Sequence, residues 1–134
     1  MTEESAGQGA AVAQLSAIGD EDVLSLRATR CRRDGVVAFP PERFGCQKCG
    51  AFGEDLEELL IPARGRITAA TVVHRHRGPG PKAPFTIASI ALDAGPHVNA
   101  LLQEGAAPEG DVDGRIDRFG DDEFITFGAA EAAR

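Results

Sequence analysis

The chain has 134 residues and a formal charge of −7, from 14 Lys and Arg against 21 Asp and Glu, a length that fits one domain or a small lobe beside a compact one. With no Trp or Tyr and only seven Phe, its core must rest on aliphatic residues, and acidity together with so few stacking rings argues against a nucleic-acid surface. No apolar run of about 18 residues occurs, and MTEESAGQGAAVAQL carries acids where a secretory signal needs positive charge, so a cytoplasmic chain with no membrane partner is expected.

Residues 1–20 are rich in Gly, Ala, Ser and Glu without a sustained period and predict a flexible leader. Residues 21–60 read as a small zinc-ribbon-like lobe. Within it VLSLRATR alternates up to Cys31 and predicts a strand, and GVVAF predicts a second, stopped by Pro40 and Pro41, which lack ladder donors. All three cysteines fall in this lobe, and in a reducing compartment close cysteines are ligands more often than disulfide partners.

Cys46 and Cys49 form a C-x2-C turn, which sets two sulfurs along one edge of a zinc tetrahedron. Cys31 and Asp34 repeat that spacing, with Gly35 and Gly50 following at matching places, where a knuckle turn takes positive φ. Asp34 therefore stands where a fourth ligand is required. An oxygen there is chemically permitted, though harder and less covalent than thiolate. Three readings stay open: zinc held by Cys31, Asp34, Cys46 and Cys49; a metal-free relic that keeps the shape; and redox use of Cys46 and Cys49, which lacks the βαβ context of such motifs. A lobe of this size draws its stability largely from a metal. Catalytic zinc is not expected, because no local His completes the usual ligand set.

Residues 61–130 change character. RITAATVVHRHR, FTIASIALD, HVNALLQ, DVDGRIDRF and EFITFGAA predict five strands, broken by GPGPKAP, a long loop, and AGP, a tight hairpin. The expected fold is mainly β, an N-terminal rubredoxin-like zinc ribbon followed by a five-stranded OB-fold barrel.

Read in order, RCRRDG, FPPERFGCQKCG, RGRITAATVVHR and APFTIASIALDAGPHVNALL resemble the zinc-ribbon plus OB-fold accessory family long catalogued as domain of unknown function 35. The resemblance spans residues 24 to about 128. Its most specific parts are FPP between the knuckles, RGRIT at the first barrel strand, TVVH within it, and Asp93, Gly95 and Pro96 before the next strand. It implies a non-catalytic partner of thiolase-fold enzymes, and sometimes of hot-dog-fold hydratases, that act on coenzyme A thioesters. Thiolases, acyltransferases and aldolases all occur among such partners. Cys31, Cys46 and Cys49 match three of the family's four ligand cysteines, and Asp34 falls on the fourth.

Two groups of residues remain to be weighed. Arg64, Arg66, His74, Arg75, Arg77 and Lys82 lie in an acid-free interval beside the Gly-Pro loop. They are either a solvated strand end or contacts to coenzyme A phosphates or an acidic partner. Phe39, Phe44 and Phe52 flank the knuckles of a lobe too small to bury three rings, and so pack on the barrel or dock a partner subunit. Ser and Thr form no nucleophile elbow, and no Gly-rich phosphate loop occurs. The expected function is an accessory subunit of a thiolase-like acyl-CoA enzyme in a hetero-oligomer, with acyl-CoA at a shared site and no activity of its own. The competing reading is a single-stranded nucleic-acid-binding module.

Overall fold

The structure, a computed structural model, describes residues 16–18 and 24–130. Apart from residues 16–18, the leader expected over residues 1–20 lies outside the described residues. The strands are β1 Ser16–Ile18, β2 Leu24–Cys31, β3 Val37–Ala38, β4 Leu56–Pro62, β5 Arg64–Val73, β6 Phe85–Leu92, β7 His97–Leu102, β8 Asp111–Phe119 and β9 Asp122–Ala129, with one 3-10 turn at Gly53–Asp55 among the described residues.

β2 is the spine of the first sheet. One of its edges pairs antiparallel with β4, from Ser25 opposite Pro62 to Cys31 opposite Leu56. Its other edge carries β1 and, further along, the short β3. Its alternation is the one read in the sequence: Leu24, Leu26 and Ala28 are buried on one face, as expected where period-2 patterning meets one apolar layer. β4 was not expected as a strand. LEELLIP lacks alternation and ends in Pro, so its extended form comes from the long pairing with β2 and not from its own pattern.

The remaining strands close into a barrel of order β5-β6-β7-β9-β8. Every pairing is antiparallel except β7 with β9, which is parallel at Leu101–Thr126 and Leu102–Phe127. The five strands lie within a residue or two of the segments read from the sequence, with one larger difference. The first was expected to run through Arg77 and ends at Val73. Gly78 and Gly80 take positive φ and alternate with Pro79 and Pro81, so the chain leaves the sheet early. His74, Arg75, His76 and Arg77 thus lie in the β5–β6 loop, and the expectation that they end the first barrel strand is corrected.

The sheet and the barrel share one core. Leu24, Leu26, Ala28 and Ile61 from the sheet pack with Ile67, Ile90, Leu92, Leu102, Val112 and Phe127 from the barrel. Ala63, fully buried between β4 and β5, fastens the join: its N–H donates to Leu24 O at 2.8 Å and its carbonyl accepts from Gly114 N at 2.7 Å. A Cβ at Gly114 would lie 2.9 Å from Ala63 Cβ and 3.1 Å from the Phe127 ring, so this close crossing requires glycine.

Candidate functional site

The knuckles are built alike, atom for atom in their backbone bonds. In the first, Gly35 N donates to Cys31 O at 2.8 Å and Cys31 N to Val36 O at 2.9 Å; in the second, Gly50 N donates to Cys46 O at 2.8 Å and Cys46 N to Ala51 O at 2.7 Å. Gly35 and Gly50 hold φ of 78° and 80° with open space where a Cβ would be. Glycine is needed there for conformation and not for room. The first knuckle is the β2–β3 turn, whereas the second lies between Pro41 and the Gly53–Asp55 turn without strands of its own. The two knuckles are therefore carried by one hairpin and one turn.

These turns bring Cys31, Asp34, Cys46 and Cys49 together, their donor atoms all within 4.8 Å of one another. Cys31 Sγ and Cys49 Sγ are 3.5 Å apart, and the Cys46 thiol donates to Asp34 Oδ2 at 3.2 Å. A zinc tetrahedron with metal–sulfur bonds of about 2.3 Å has edges near ~3.8 Å, so the quartet fits such an ion in size and donor type. Cys31 and Cys46 are buried, with Ala51 and Leu56 against them, while Asp34 and Cys49 face outward.

The fourth corner is a carboxylate already prepared as an anion. Asp34 Oδ1 accepts the Val36 N–H at 2.9 Å, and that bond, with the neighbouring thiols, holds its carboxyl down at about 2. Cys49 accepts the equivalent N–H from Ala51, which favours thiolate, but burial and the crowding of Cys31, Asp34 and Cys46 outweigh it and push the thiol up to about 12. Three thiols and a carboxylate around one point repel a further negative charge; a dication there reverses that balance.

The basic stretch around the knuckles is less segregated in space than in sequence. Arg30 and Arg32 both reach Glu57 of β4, which holds the Glu57 carboxyl below its usual range, the Arg30 hydrogen bond being the largest cause. Arg33 faces Asp55 at 3.6 Å. Among the six cation candidates, Arg64 pairs with Asp113 at 3.4 Å and Arg66 with Asp111 at 3.5 Å. His74, Arg75, Arg77 and Lys82 are exposed, with no ion-pair partner among the described residues. His76 Nε2 lies 2.8 Å from Pro79 O, and its ring stands edge-on to Phe85 at 5.2 Å.

That loop roofs an apolar cavity of about 490 Å³ where β7 and β9 diverge, lined by Phe39, Val73, Phe85, Val98, Leu101 and Phe124 among others. Its size falls within the ligand-site range of ~300–1,000 Å³. The sequence reading missed it, because its lining residues come from β2, β5, β6, β7 and β9, from Phe39 and from the β5–β6 loop, and meet only when the barrel closes and the first sheet packs on it. Phe39 is half-buried on the shared core and lines the cavity, whereas Phe44 and Phe52 are 94% and 72% exposed. Among the described residues, the hydroxyls of Thr68, Ser89 and Thr126 donate to Ser89 O, Asn99 Oδ1 and Asp117 Oδ2, not to a histidine.

Comparison with known proteins bears on the barrel and on the whole chain. Residues 60–117 match the family model described as ChsH2, C-terminal OB-fold domain. A solved structure titled "Ltp2-ChsH2(DUF35) aldolase" contains a chain similar to this one, with a TM-score of 0.66 and 21% sequence identity over 95% of this chain and 94% of that chain. The matched segment spans β5, β6 and β7 and most of β8 of the closed barrel, and the chain is similar in fold to that solved chain over nearly its whole length.

Proposed function

We propose that the chain is a non-catalytic accessory subunit of an aldolase- or thiolase-type enzyme acting on acyl-CoA thioesters, in a cytoplasmic hetero-oligomer. The likeness of 95% of the chain to a chain of an aldolase assembly carries this reading. The cavity beside a cationic loop supports the acyl-CoA part. In this reading the acyl group rests in the apolar cavity, while Arg75, Arg77 and Lys82 meet phosphate charge, a role suited to Arg through its planar fork. His74 stands beside them. Arg64 and Arg66, already facing acids, contribute less. Exposed Phe44 and Phe52 supply apolar anchors to the partner.

Zinc is the metal that the three thiols and carboxylate would hold, and it would supply a structural cross-link between the knuckles. This chain's own residues exclude water from the acyl group and hold it in place; bond breaking belongs to the partner. A nucleic-acid role has less support, since the net charge is −7 and three of the cations near the knuckles, Arg30, Arg32 and Arg33, already face Glu57 or Asp55.

Co-purification from the native cell tests the reading. The full chain should elute with an aldolase- or thiolase-fold enzyme, and the purified chain alone should turn over no thioester. In the complex, Arg75→Glu with Arg77→Glu should raise KM for the acyl-CoA about tenfold with kcat little changed. Thioester turnover by the isolated chain, or an oligonucleotide as its salt-sensitive ligand, would overturn it.

A further inference from the structure

The molecule has several open sheet edges, and they are not treated alike. The outer edge of β4 carries Glu57, Glu58 and the terminal Pro62, and β3 is two residues long and soon followed by Pro40 and Pro41. Charges, prolines and brevity of this kind block unwanted pairing. β5 differs. It closes the barrel against β8 only at Arg64, Gly65 and Arg66. A register shift between Ile67 and Ala69 then bends it away, as bulges do. Beyond that point residues 68–73, TAATVV, have β6 as their one neighbouring strand among the described residues, with Ala69 to Val73 in register and Thr68 at the shift.

This stretch has neither charge nor proline, and its first five residues are exposed on both faces. Ala69 and Ala70 are small enough for another backbone to lie close, and Val72 is 48% exposed. Its ends are basic, with Arg64 and Arg66 before it and His74, Arg75 and Arg77 after. That charge pattern selects the occupant. Antiparallel pairing with a second copy, centred between Ala70 and Thr71, would set residues 68–73 against one another and bring each copy's Arg66, where β8 takes over the edge, up to the other's Arg75, and like charges so placed are destabilising. An acidic-ended strand meets cations at both ends instead. The exposed Arg66–Asp111 pair is worth little and can be exchanged for a partner carboxylate.

We propose that residues 68–73 form a docking seam that receives a strand of the partner protein, uncharged at its centre and acidic at both ends. The partner's identity rests on the accessory-subunit reading above; the edge chemistry does not. The test uses the full chain and a ten-residue peptide with alternating Thr and Val at its centre and two Asp at each end, against the same peptide ended in Lys. Amide exchange at residues 68–73 should slow about tenfold with the acidic peptide, not with the basic one, and Ala70→Lys, an edge charge at an exposed site, should abolish the slowing without unfolding the barrel.

No slowing with either peptide, equal slowing with both, or slowing that survives Ala70→Lys overturns the proposal. So does slow exchange in the chain alone that speeds up on dilution, which identifies a second copy as the occupant. Because the peptide readout needs no enzyme, its failure leaves the accessory reading standing, while failure to co-purify with an enzyme removes that reading without touching the peptide result.

Discussion

Asp34 completes a cysteine knuckle by position, and its carboxylate receives the Val36 N–H just as its counterpart Cys49 receives the Ala51 N–H. As a harder ligand than sulfur it should hold zinc less tightly, so Asp34→Cys should raise retention against a chelator about tenfold and Asp34→Ala lower it by a similar factor. Equal zinc content in all three proteins would reject ligation by this residue. Its low pKa has a consequence for the metal-free chain. A carboxyl held at about 2 when folded against 3.8 otherwise contributes stability above the higher value and loses it as pH falls toward the lower. Thermal midpoints of chelator-treated chain should therefore drop more steeply between about pH 4 and 2 than those of Asp34→Asn. The knuckle was legible in the sequence because its geometry is local, four residues closing on themselves. The ion pairs were not: Arg30 finds Glu57 27 residues away, and only the β2–β4 register, Arg30 opposite Glu57, brings them together.

Among the elements, those with period-2 patterning and sharp breakers could be read directly. The AGP turn is an instance: Gly95 N donates to Leu92 O and Leu92 N to Pro96 O, both at 2.9 Å, closing the hairpin that the tripeptide announces. β4 escaped because its extended form is conferred by β2. The crossing at Gly114 escaped because a glycine within a strand does not reveal which neighbour it admits. Ala63 has no room to yield there, so Gly114→Ala should cost about 2 kcal/mol as overpacking, lowering the melting midpoint by roughly 5–10 °C. A midpoint unchanged in calorimetry would mean that β8 can shift away from the β4–β5 join.

At the scale of the whole molecule, the sequence suggested a lobe and a barrel, and its segment order was enough to propose both. It did not reveal that they share a core, since gathering Leu26 of the sheet and Phe127 of the barrel into one cluster depends on how the two halves dock. A common core makes one cooperative unit. Leu26→Ala, at a site 1% exposed, should cost about 3 kcal/mol and lower a single transition seen equally by probes in the ribbon and the barrel. Zinc removal should likewise lower the midpoint of the whole chain, because a ligand bound only to the folded state stabilises everything that unfolds with its site. Two separate transitions would show that the halves melt independently.

The barrel's hoop is fastened unevenly. β8 and β9 run together over eight residue pairs, from Val112–Ala129 to Phe119–Asp122, whereas β7 meets β9 at only two, supplemented by Gln103 N donating to Phe127 O at 2.8 Å. With the fewest paired residues of any seam in the barrel, this join is the clasp expected to part most readily, at the very wall of the apolar chamber, and a guest that widens that chamber would do so there while the cysteine knuckles and the join at Ala63 stay shut.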